Sequence, residues 1–86
     1  MANISINIKK FEEQFNNEYE FIYEHHDRVA GYTEAVDAFD DSMKRQQWFR
    51  DFVSEFVNYR QDYISSDREA AAFMFALDAM TNEQEA

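Results

Sequence analysis

Acid–base or metal chemistry in this chain would have to come from His25, His26 and the carboxylate pairs Glu12–Glu13 and Asp40–Asp41. Each pair consists of sequence neighbours. On a helix, neighbouring side chains diverge by about 100°, so the members of a pair do not converge on one ion or one proton. A metal site wants three or four converging ligands. There is no cysteine, which removes thiolate ligands and disulfides together. The chain has no glycine-rich phosphate loop, no H-E-x-x-H and no two histidines at one-turn spacing. The serines and threonines that could act as nucleophiles stand where helix caps belong. The sequence therefore points away from an enzyme, a cofactor and a bound metal.

What the chain does have is acid. Eighteen Asp and Glu face eight Lys and Arg, a formal charge of −10. That sign argues against direct binding to nucleic acid or to anionic membranes. It favours a basic partner, or plain solubility. The acids are concentrated: Glu12 to Asp41 holds ten of them and a single base, Arg28. Glu13, Glu20, Glu24 and Asp27 follow at steps of seven, four and three, one stripe of a helix. Glu34, Asp37, Asp40 and Asp41 continue the run after Gly31. The first stripe would span about 21 Å, or roughly one charge per 5 Å. Duplex DNA carries one per about 1.7 Å, so one helix is too sparse to imitate it, and a second acidic element is needed. The alternative is an ordinary solvated face, although such faces usually mix both signs.

The elements that would position these residues are helical. Eighty-six residues make a single domain (1–86) with a thin core, which the nine Phe, five Tyr and one Trp help to fill. Proline is absent and Gly31 is the single glycine, as expected of helices joined by short turns. Ile4, Ile6 and Ile8 alternate with polar residues, which suggests an extended arm over 1–7. A first helix is expected from Ile8 to Val29, with Phe11, Phe15, Ile22 and Val29 on its core face. Gly31 supplies a left-handed terminator. Thr33 offers an N-cap, and 33–65 reads as one helix or two, with a bend placed at Asp40–Ser42. From Met43 to Ile64 the apolar stripe is Phe49, Phe52, Val53, Phe56, Tyr63 and Ile64. Ser66-Asp67-Arg68-Glu69 reads as a capping box that opens a last helix to about Met80, with 81–86 a frayed tail. The expected fold class is all-α, a small three- or four-helix bundle with antiparallel neighbours.

Three features stand outside that pattern. Between Ala70 and Met80 only Asp78 is polar. A helix apolar around its circumference is normally surrounded. Either this helix lies centrally, or Ala71, Ala72 and Phe75 meet a second subunit or a partner groove. A homodimer through those three is the expectation, and packing of Phe75 under the isoleucine arm is the competing one. Arg60 falls inside an apolar stripe, so it must snorkel outward or pair with a carboxylate of a facing helix. Trp48, between Arg45 and Arg50, is a candidate contact hot spot or a boundary residue.

In size, charge, helicity and the one-sided Glu12–Asp41 segment, the chain resembles the small acidic proteins that phages and mobile elements direct against host systems. That class includes DNA mimics and inhibitors of restriction and CRISPR complexes. The resemblance covers no family motif and carries over no residue. It departs from the most extreme mimics in its eight basic residues, five of them between Lys44 and Arg68, which implies a polarised surface. What it implies is an inhibitor that occupies the basic groove of a host nucleic-acid-binding protein with its acidic face. A non-enzymatic adaptor dimer built on the apolar last helix is the competing expectation, and a neutraliser of a basic toxin is a third. The first ten residues lack the apolar run of a signal peptide, and the longest apolar stretch is about half a membrane span, so a cytoplasmic location is expected.

Overall fold

The computed structural model describes residues 6–85, with side chains from 6 to 81. It is all-α among the described residues: helix α1 spans Ile8–His25, α2 Tyr32–Arg45, α3 Gln47–Arg60 and α4 Asp67–Glu85. A short 3-10 turn, His26–Arg28, follows α1. Of the expected arm, residues 1–5 lie outside the described residues. Ile6 and Ile8 pack against the core at its edge.

Helix α1 starts where its apolar period starts because Asn7 caps it, accepting a hydrogen bond from the Lys10 amide at 3.0 Å. Its buried face is Phe11, Phe15 and Ile22, as the spacing requires. It ends at His25 rather than near Val29, because the chain tightens into the 3-10 turn and then becomes extended at Val29. Gly31 does adopt the left-handed conformation, φ +81°, but it stands at the cap position of α2. A Cβ there would meet nothing within 4 Å, so backbone conformation and not space calls for glycine. Thr33 is therefore not the cap. It lies inside the first turn of α2.

The bend expected at Asp40–Ser42 is also corrected. Helix α2 runs through those residues, and the break falls at Gln46, whose backbone is extended. The side chains of α3 hold this break open. Arg50 Nη1 donates to the Met43 carbonyl at 2.7 Å, satisfying an end of α2 that has no helical partner. Trp48 Nε1 donates to Gln46 Oε1 at 2.7 Å. Helix α3 stops at Arg60, not at Ile64. Gln61 takes the left-handed conformation, φ 60°, and the Gln61 and Asp62 amides both donate to the Val57 carbonyl. Tyr63 is consequently outside the helix and 76% exposed instead of on the core stripe.

The capping box opens α4 at the expected residue. Glu69 N–H donates to Ser66 Oγ at 3.2 Å. The reciprocal bond is shifted by one: Glu69 Oε1 accepts from the Ser65 amide at 3.0 Å. The helix continues past Met80 to Glu85 rather than fraying at 81.

Helix α4 is the centre of the fold. Both α1 and α2 pack extensively along it and only sparsely, if at all, on each other. Phe73 is fully buried, and five rings surround it at centroid distances of 4.9–5.7 Å: Phe11, Phe39, Phe49, Phe52 and Phe56. The pairs are edge-on, the arrangement that ring quadrupoles favour. Ala71, Ala72 and Ala76 are fully buried beside it, and their small side chains let two helices approach α4 at once. Phe11 meets Phe73 while Tyr23 and His26 meet Arg68, so α1 and α4 are antiparallel. Phe11 meets Phe52, and Phe15 meets Arg60, so α1 and α3 run in the same sense.

Candidate protein-binding surface

The acidic residues are where helical phase puts them. Glu13, Glu20 and Glu24 are exposed on α1, on the side opposite buried Phe11, Phe15 and Ile22. Asp27, the fourth member of the stripe, is exposed but sits on the 3-10 turn, so the helical stripe proper ends at Glu24. Glu34, Asp37, Asp40 and Asp41 are exposed on α2, away from buried Ala35 and Phe39. The two acidic faces follow one another through the Val29–Gly31 connection. They belong to helices that pack along α4 and at most sparsely on each other, so no extensive side-by-side packing fuses them into one sheet of charge.

Neutralisation is sparse. Asp41 pairs with Arg45 at 2.6 Å, and Glu24 lies 3.8 Å from His25. Among the described residues, Glu13, Glu20, Asp27, Glu34, Asp37 and Asp40 have no ion pair. The arginines that follow in the chain are engaged elsewhere. Arg50 closes the end of α2. Arg60 lies 3.5 Å from Glu69 and 3.3 Å from Asp62, with its guanidinium over the rings of Phe15 at 4.8 Å and Phe56 at 5.3 Å. That agrees with the expected carboxylate pairing across helices. Arg68 lies 3.3 Å from His26 Nδ1 and over Tyr23 at 5.8 Å. Glu69, the one buried acid among the described residues, is held by Ser65, Ser66 and Arg60.

The apolar surface expected on α4 is not available. Ala71 and Ala72 are fully buried inside their own chain, because α4 runs centrally between α1 and α2. They have no surface to offer a second subunit. Phe75 is half-buried and packs against the same core. Trp48 is half-buried, edge-on to Phe49 at 5.6 Å, which is boundary packing. The histidines diverge as expected of neighbours: His25 faces Phe21 at 4.9 Å, and His26 faces Tyr32 at 5.7 Å. No group of three His, Asp or Glu gathers at one point among the described residues.

Three exposed aromatics escaped the sequence reading: Tyr59 at the end of α3, and Phe21 and Tyr23 on α1. Phe21 is 56% exposed and Tyr23 is 62% exposed. Their signal was available, since neither keeps the phase of Phe11, Phe15 and Ile22. An open cleft of about 190 Å³ lies between Phe39, Asp40, Ile64 and the start of α4 at Ser65–Asp67 and Ala70. It is smaller than the roughly 300 Å³ at which small-molecule sites begin. No helix of the described residues is long and apolar enough to cross a membrane. No protein-family model, no curated protein and no solved structure matches this chain.

Proposed function

We propose that this is a non-enzymatic binding protein whose exposed acidic residues on α1, the following turn and α2 occupy a basic groove of a nucleic-acid-binding protein and inhibit it. The observation that carries this reading is the distribution of partners: among the described residues Glu13, Glu20, Asp27, Glu34, Asp37 and Asp40 have no ion pair, while Arg50, Arg60 and Arg68 are taken up by the Met43 carbonyl, by Asp62 and Glu69, and by His26. Carboxylates left open across two helices raise the local negative potential and speed encounter with a basic surface. The acids of α2 extend the run of negative charge beyond what the single stripe of α1 offers. Burial of Ala71 and Ala72 weighs against the adaptor dimer. A basic toxin as target shares the same electrostatics and differs only in what is captured.

The test is capture from a bacterial lysate on immobilised protein at low and high salt, with mass spectrometry of the eluate. The wild type should retain nucleic-acid-binding proteins that salt or added duplex DNA releases. Glu13→Gln, Glu20→Gln, Glu24→Gln and Asp27→Asn together should leave the fold intact and weaken that capture at least about tenfold. Equal capture by the quadruple variant would remove mimicry through this face.

A further inference from the structure

We propose that the C-terminal half of α1 is the anchoring centre of the acidic surface, and that its occupant is a protein face combining arginines with apolar side chains. This rests on the proposed function and deepens it by naming what the contact reads besides charge. Phe21 and Tyr23 are two positions apart, so on α1 they project about 200° from each other. Glu20 and Glu24 lie between them on the outward ridge. The result is a crest of carboxylates with an exposed ring on either flank, 56% and 62% open.

Single exposed rings are ordinary on protein surfaces; what sets these two apart is their place, one on each flank of an acidic ridge. Exposed aromatics beside a polar ridge mark contact sites, where aromatic residues concentrate binding energy. Charge complementarity then selects the occupant. Glu20 and Glu24 stand exposed on the ridge between the rings and Asp27 on the turn that follows, while Arg28 is the one base of that stretch of chain and Arg68 reaches Tyr23 from α4. A guanidinium satisfies both halves of the surface, because it binds carboxylate edge-on and stacks flat on a ring. The chain itself places a guanidinium on one of these rings: Arg68 lies over Tyr23 at 5.8 Å while Tyr23 stays largely open. A stacked guanidinium covers one face of a ring, and apolar side chains beside it are needed to take the rest of Phe21 out of water.

The experiment uses two synthetic helical peptides of equal positive charge, one of arginine and leucine, the other of arginine and glutamine. Binding to the full chain is measured by calorimetry at low and physiological salt. The wild type should prefer the leucine peptide by about tenfold or more. Phe21→Ser alone, and with Tyr23→Ser, should erase most of that preference and leave the salt dependence unchanged. Among the described residues Phe21 has a ring contact with His25 alone, so the single variant keeps the test valid if Tyr23→Ser disturbs Arg68. Equal binding of both peptides by the wild type, or a preference that survives the double substitution, would overturn the proposal. The quadruple Glu/Asp variant separates the two levels. Loss of affinity for both peptides upholds the charge reading independently of the rings, and unchanged affinity overturns the charge reading itself.

Discussion

The outer face of α1 and the junction of α3 with α4 use the same residue types in opposite ways. At the junction, Glu69 is 8% exposed and its oxygens are taken up by Ser65, Ser66 and Arg60, with the Arg60 guanidinium over the rings of Phe15 and Phe56. Along α1, Glu13 and Glu20 are exposed and have no ion pair among the described residues. A charge that serves architecture is desolvated, hydrogen-bonded and matched, because otherwise burial would destabilise the fold. A charge left in water among like charges gives the fold nothing and adds repulsion. The contrast separates carboxylates the structure requires from carboxylates it tolerates, and the second group is where an external partner should be sought.

Breaking the junction should produce the largest effect. Glu69→Ala removes the Arg60 partner and one half of the cap at once, and should cost about 3 kcal/mol in urea unfolding. Arg60→Lys keeps the charge but loses the guanidinium's contact with Phe15 and Phe56, so about 1–2 kcal/mol is expected from the same measurement. The four α1-side substitutions to Gln and Asn should act in the other direction and least of all. They should raise the urea midpoint slightly at low salt and leave it unchanged at high salt, because screening removes the repulsion they relieve. A loss of stability from those four changes would mean that the α1 acids are structural after all.

Much of the junction was legible in advance. Ser66 with Glu69 three residues on is a local signal, and the phase of Arg60 narrows it to snorkelling outward or pairing with a carboxylate across helices, of which the structure has the pair. The exposure of the acidic residues was equally local, since Phe11, Phe15 and Ile22 fix which side of α1 is inside. What escaped depends on contacts distant in sequence or on unusual backbone. Nothing in the residue types at Gln46 marks a break, and Arg50 supports it only because its guanidinium reaches back to Met43. Gln61 adopts a conformation that glycine or asparagine usually takes, at a cost of about 1 kcal/mol, so a reader of propensities extends α3 too far. The apolar circumference of α4 posed the right alternatives, central helix or interface. Only the placement of α1 and α2 on both sides of its alanines decided between them.

The central position of Phe73 has a consequence for how the molecule is made. All five of its ring partners precede it in the chain. As residues leave the ribosome one after another, α1, α2 and α3 emerge with their phenylalanines uncovered and no common helix to close on. The strong like charge of Glu12–Asp41 is present throughout that interval, and repulsion between nascent copies opposes their sticking together until α4 arrives.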